Sequence, residues 1–125
     1  MGYASHKAEE SVEDYLETIL VLSRELPVVR SVDIAKKLGY SKPSVSVAMK
    51  NLRNREFITV SDEGYISFTA EGKKLASEVL ERHTVLTDWL ISLGVDEKTA
   101  SEDACKVEHD ISQQTFQALK KHILG

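Results

Sequence analysis

From Val12 the apolar positions run Val12, Tyr15, Leu16, Ile19 and Leu20, with spacings of three and one that predict a helix with one buried face. Pro27, in the run ELPVVRS, closes that helix, because the residue before a proline is pushed out of helical geometry. Ser31 is then placed to cap a short helix with Ile34, Ala35 and Leu38 inward and Gly39 as its left-handed stop. Ser41 caps the next helix, which tolerates Pro43 in its first turn and sets Val45, Ala48, Met49 and Leu52 on one face. Two short helices joined through Leu38-Gly39-Tyr40-Ser41 make a helix-turn-helix pattern.

Behind it, Phe57-Ile58-Thr59-Val60 and Tyr65-Ile66-Ser67-Phe68 are β-rich runs around Ser61-Asp62-Glu63-Gly64, and Gly64 suits a tight turn. A hairpin directly after a helix-turn-helix predicts a winged helix. Thr69 caps a long helix through about Leu93, with Leu75, Val79, Leu80, Leu86 and Leu90 as its apolar stripe and Gly94 as its stop. Asp96 opens a further helix carrying Ala100, Ala104, Val107 and Ile111, and Ser112 a last one with Phe116, Leu119 and Ile123. The predicted fold is mainly α with a small β-hairpin: a winged helix-turn-helix domain over residues 1–72, then a helical domain over residues 73–125. The helical part carries more apolar faces than a small monomer needs, which points to a homodimer interface, with burial against the first lobe as the competing explanation.

Composition adds limits. The 125 residues are 42% hydrophobic and 29% charged, an ordinary globular balance, and no apolar run approaches a membrane span. The opening MGYASHKAEE has no signal-peptide pattern, so a cytoplasmic protein with a free Cys105 thiol and no membrane partner is expected. The net charge of -4 hides an uneven distribution: residues 1–29 sum to -4, residues 30–57 to +5 and residues 58–125 to -5. A basic stretch inside acidic flanks is the arrangement of a nucleic-acid-facing element, and it coincides with the helix-turn-helix.

With the apolar face of the second short helix inward, Pro43, Val47, Lys50 and Asn54 point outward and Ser44 and Ser46 flank them. Lys50 reaches a guanine edge or a phosphate, the serine hydroxyls bond either, and Val47 matches a thymine methyl. Lys36, Lys37, Lys42, Arg53 and Arg55 are placed to hold backbone phosphates, which positions the module without reading sequence, and Ser41 at the start of the helix is counted with the DNA-binding residues. A second constellation is chemical. Asp14 and Glu17 lie three apart on the first helix, Cys105, Glu108 and His109 stand at i, i+3 and i+4 on a later one, and His83 lies near the long helix's stripe. Carboxylate, imidazole and thiolate together are transition-metal donors. Taken singly, each also reads as surface charge, a core histidine or a small buried hydrophobe.

Val12-Glu13-Asp14-Tyr15-Leu16-Glu17-Thr18-Ile19, the helix-turn-helix from Ser31 to Leu52, Thr69-Ala70-Glu71-Gly72-Lys73, Arg82-His83 and Cys105-Lys106-Val107-Glu108-His109 resemble the diphtheria-toxin-repressor family of metal-dependent transcriptional regulators. The resemblance spans nearly the whole chain. It implies a winged helix followed by a metal-binding dimerisation lobe, with Asp14, Glu17, His83, Cys105, Glu108 and His109 as metal ligands and the helix from Ser41 as DNA reader. It also marks departures. Asp14 stands where the iron branch resembles a methionine ligand, and Cys105 where the manganese branch usually has glutamate. Thr87 and Ser101 occupy positions of an iron-branch ancillary site, which is therefore expected to be absent or rebuilt around His83 and Glu17. With the chain ending at Gly125, the two-domain form without an SH3-like domain is expected.

The resulting expectation is a non-enzymatic, homodimeric repressor of metal-homeostasis genes. It binds palindromic double-stranded operator DNA when Fe²⁺ or Mn²⁺ is bound, and Zn²⁺, Co²⁺ or Ni²⁺ substitutes in vitro. Two alternatives stay open at this point: a metal-blind winged-helix regulator sensing oxidants through Cys105, and a small metallohydrolase using the same carboxylates.

Overall fold

The computed structural model describes the backbone from Tyr3 to Gly125 and side chains from Ser11 onward. Its elements are α1 (Tyr3–Glu25), α2 (Ser31–Leu38), α3 (Lys42–Asn54), β1 (Ile58–Val60), β2 (Ile66–Phe68), α4 (Ala70–Ser92), α5 (Glu97–Glu108) and α6 (Gln113–Leu124). They form two compact units, one ending at Ser77 and the other beginning at Glu78, and α4 runs from the first into the second. Among the described residues no helix is long and apolar enough to cross a membrane.

In the first unit α1 packs against α2 and α3, and α3 against β1. Leu16, Ile19 and Leu20 of α1, Ile34 and Ala35 of α2 and Val45, Met49 and Leu52 of α3 are buried, so the three apolar stripes form the predicted core. Gly39, at φ 71°, ends α2 in the left-handed region, where a side chain is strained. Ser41 caps α3, its Oγ accepting from the Ser44 amide at 3.3 Å. The cap of α2 differs from expectation. It is Arg30, with Ser31 already inside the helix, because the Asp33 carboxylate accepts from the Arg30 amide at 2.9 Å and fixes the first turn one residue earlier.

The wing is an antiparallel pair with Ile58 opposite Phe68 and Val60 opposite Ile66, each strand one residue shorter at its start than the β-rich run. Val29 adds a bridge the pattern did not indicate: its carbonyl accepts from the Ile66 amide at 2.8 Å, tying the segment after α1 to the wing. Thr69 caps α4, accepting from the Gly72 amide at 3.1 Å while donating to the Glu56 carbonyl at 2.7 Å. Gly72 is required there, since a Cβ would stand 1.8 Å from the Phe57 carbonyl oxygen.

In the second unit, Leu86, Ala104 and Phe116 form a core of one residue from each helix, with Trp89, Leu90 and Ile111 partly buried around it. Asp96 and Ser112 cap α5 and α6, accepting from the Thr99 and Thr115 amides at 3.1 Å each. Two helix faces depart from expectation. On α4 the buried positions are Gly72, Ala76, Val79, Arg82 and Leu86, while Leu75, Leu80 and Leu90 are half-buried. On α5 the inward series is Ala100, Ala104 and Glu108, four residues apart, which turns Val107 outward to 39% exposure. A charged residue thus takes the last buried position.

Candidate metal centre and DNA-facing helix

Glu108 closes α5 and is fully buried. A carboxylate there is costly unless its oxygens find cations or donors. Its Oε2 lies 3.0 Å from His83 Nδ1, on α4. Its Oε1 makes no hydrogen bond among the described residues and lies 3.4 Å from His109 Nε2, in a side chain only 1% exposed. His109 is the C-cap of α5, with helical backbone (φ -91°, ψ -11°), so the ring continues the face begun by Cys105. Cys105, Glu108 and His109 each offer one donor atom within 4.8 Å of the others. The second unit therefore gathers a half-buried thiol, a buried carboxylate and two imidazoles.

This donor set fits a divalent transition metal. The orphaned Glu108 oxygen gains a positive partner, and thiolate, imidazole and carboxylate are the side chains that bind such ions. Beyond the chain's own spacing, Ser101 enters here: its Oγ is 3.4 Å from His83 Nε2, the ring nitrogen turned away from Glu108. Asp14 and Glu17 are half-buried on α1 in the first unit, one turn apart. Asp14 also lines a hollow of about 310 Å³ with Ser11, Tyr15, Tyr40 and Ser44. A larger hollow of about 610 Å³ between the end of α1 and the wing carries no carboxylate, imidazole or thiol and has no part in the metal chemistry.

On the helix-turn-helix, the cap Ser41 and Lys42, Pro43, Ser44, Ser46, Val47, Lys50 and Arg53 of α3 are all exposed, as are Lys36 and Lys37 of α2. Val47 stands 70% exposed, an apolar tip on a polar helix. The hydroxyls of Ser41 and Ser44 are bonded to each other at 2.9 Å, which fixes the start of the helix. The pattern along the chain did not reveal the Arg30 guanidinium, which lies 4.8 Å over the Tyr65 ring and donates to its hydroxyl at 3.1 Å, joining the start of α2 to the wing.

Residues 7–66 match the model of the iron dependent repressor N-terminal DNA binding domain, and residues 69–124 that of the iron dependent repressor metal binding and dimerisation domain. The chain belongs to the iron dependent repressor family. This is a family of transcriptional regulators rather than of enzymes, and its two domains fall on the winged helix and the helical region. The transcriptional regulator MntR of Escherichia coli is 39% identical over 111 residues, which is 89% of this chain and 72% of that protein. The HTH-type transcriptional regulator MntR of Bacillus subtilis is 32% identical over 102 residues, covering 82% and 72%. The solved structure of the manganese regulator SloR aligns at TM-score 0.79 and 28% identity, over 90% of this chain and 53% of that one. A manganese-dependent transcriptional repressor in complex with manganese aligns at TM-score 0.80 over 90% of this chain, and at 21% identity it speaks for the fold. The chain thus spans about half the length of the solved relatives.

Proposed function

We propose that this iron dependent repressor family member is a cytoplasmic, homodimeric repressor of metal-homeostasis genes whose operator binding requires Fe²⁺ or Mn²⁺. The observation that carries the reading is the buried Glu108 carboxylate set against His83, His109 and Cys105 in a protein that also presents a basic, exposed outward face of α3. A buried carboxylate whose oxygens face two imidazoles, with a thiol beside them, is a donor set that a divalent cation completes.

Asp14, Glu17, His83, Cys105, Glu108 and His109 hold the ion, and the likeness to the manganese regulator SloR supports manganese as one activating metal. The bound ion supplies positive charge and directional bonds to donors on α1, α4 and α5. Fixing α1 in this way restrains the helix-turn-helix packed on it, so that two recognition helices of a dimer match successive major grooves of a palindromic operator. Lys50, Ser44, Ser46 and Val47 read bases, and Lys36, Lys37, Lys42 and Arg53 hold phosphates. Exposed Ile91, Leu93, Val107 and Leu124 in the second unit support the dimer, since together they leave apolar surface that a lone copy leaves in water. Coupling of about 1–3 kcal/mol between ion and operator is enough for strong regulation.

A mobility shift on candidate operators, run anaerobically with Fe²⁺ or Mn²⁺ and again with chelator, tests this. Sequence-specific binding lost in chelator is the expected result, and equal binding in both conditions contradicts it.

A further inference from the structure

Arg82 is 8% exposed, a rare place for a guanidinium, and while its Nε makes no hydrogen bond among the described residues, both terminal nitrogens do. Nη1 donates to the Glu108 backbone carbonyl at 2.9 Å, and Nη2 to Gln113 Oε1 at 3.1 Å. The first acceptor is a last-turn carbonyl of α5, which no later helical amide satisfies. The second belongs to the first residue of α6. One planar side chain from α4 therefore ties the end of α5 to the start of α6 across the corner at residues 109–112.

That corner carries the donors. Glu108 and His109 sit on its near side, and holding the Glu108 carbonyl fixes the backbone from which its carboxylate reaches His83 Nδ1. We propose that Arg82 is a positioning residue of the metal centre, setting the α5–α6 corner so that Glu108 and His109 present their donors to one ion. The proposal rests on the metal-sensing reading above. Arginine is required because its fork meets two acceptors at once, whereas the single ammonium of lysine meets one.

The test is an anaerobic Co²⁺ titration followed by the visible d–d bands, which report coordination geometry, beside the thermal midpoint of the metal-free protein. Arg82→Lys weakens Co²⁺ binding by about tenfold, the scale of outer-sphere losses, and alters the d–d envelope. Gln113→Ala leaves Arg82 Nη2 without its acceptor but keeps the bond from Nη1 to the Glu108 carbonyl, so it lowers the metal-free midpoint less than Arg82→Lys while shifting affinity and bands in the same direction. Gln113→Glu keeps an acceptor for Nη2 and restores the wild-type bands. Should Arg82→Lys fail to fold, the two Gln113 variants decide alone. Wild-type affinity and bands in the Gln113→Ala protein, or in a folded Arg82→Lys protein, overturn the proposal whatever the midpoints show. A wild-type protein with no Co²⁺ bands overturns the metal-sensing reading itself, and the proposal with it.

Discussion

The ring of Tyr15 meets that of Tyr40 edge-on, their centroids 6.1 Å apart and their planes inclined by 68°. Tyr15 follows Asp14 on α1, and Tyr40 precedes Ser41, the cap of α3. The contact joins the residue beside a proposed metal ligand to the turn that starts the DNA reader. Burial, and then the neighbouring Tyr40, hold the Tyr15 phenol above the ordinary tyrosine pKa, so Tyr15 is neutral at physiological pH. Edge-to-face pairs contribute about 0.5–1.5 kcal/mol, and with Tyr40 half-exposed the lower end is expected. A double-mutant cycle of Tyr15→Leu and Tyr40→Leu in urea should return about 0.5 kcal/mol. Tyr40→Ala should also shrink the metal-induced gain in operator affinity, measured by fluorescence anisotropy, and an unchanged gain would show that the contact is only packing.

Glu108 should trade stability for function. Divalent metal at about 100 times its dissociation constant stabilises a native-state binder by about 2.7 kcal/mol. Glu108→Gln removes the buried charge, so the metal-free protein should be no less stable than wild type while the metal-induced rise in thermal midpoint disappears. A retained rise would remove Glu108 from the ligand set.

Cys105 should bias the choice of metal. Its thiolate is softer than the oxygens of Asp14, Glu17 and Glu108 and favours Fe²⁺, Co²⁺ or Zn²⁺ over Mn²⁺. In anaerobic operator titrations Cys105→Glu should move activation toward Mn²⁺, and Cys105→Ala should weaken activation by Fe²⁺ most. If both variants keep the wild-type order of metals, Cys105 is a packing residue.

Lys50 and Lys36 should separate by kind of contact. Both are exposed, but Lys50 lies on the outward face of α3 and Lys36 near the end of α2. Lys50→Ala should cost about 1–3 kcal/mol on the operator and relax sequence preference, whereas Lys36→Ala should weaken all DNA alike and reduce the salt slope by about one. Equal loss on operator and random DNA for both would assign Lys50 to phosphate.

Asp96 gives a pH signature. Hydrogen bonds from Thr99, through its side chain and its amide, hold the Asp96 carboxyl below its ordinary pKa. The folded value is the lower one, so the cap's contribution is complete above the ordinary aspartate pKa and fades as pH falls through the depressed value. Asp96→Asn keeps an acceptor without the titration, and its thermal midpoint should fall less steeply in acid than that of wild type. Identical acid slopes would show that the cap charge does not contribute.

The helices, their caps at Ser41, Thr69, Asp96 and Ser112, and the outward face of α3 were legible because each is written within a few neighbouring residues. The donors Cys105, Glu108 and His109 were legible for the same reason, since their spacing puts them on one helical face. What the chain did not disclose is long-range. Arg82 and Glu108 are 26 residues apart, Arg82 and Gln113 31 apart, and Arg30 and Tyr65 35 apart, and no local pattern marks such partners. The exchange of Val107 for Glu108 at the buried end of α5 is a second kind of miss. Hydrophobicity assigned the inward position to valine, and only the chemistry of the surrounding imidazoles gives a carboxylate a reason to be there.

Linkage offers the most direct test of the central claim that metal and operator binding are one coupled equilibrium. If metal tightens operator binding by a given factor, operator must tighten metal binding by the same factor. Equilibrium dialysis of Mn²⁺ and Fe²⁺ against the free protein and against its operator complex, under reducing anaerobic conditions, measures this. Metal binding in the complex is expected to be about 5- to 150-fold tighter, equal to the gain in operator affinity measured separately. Equal metal affinity in the free and operator-bound protein would contradict it.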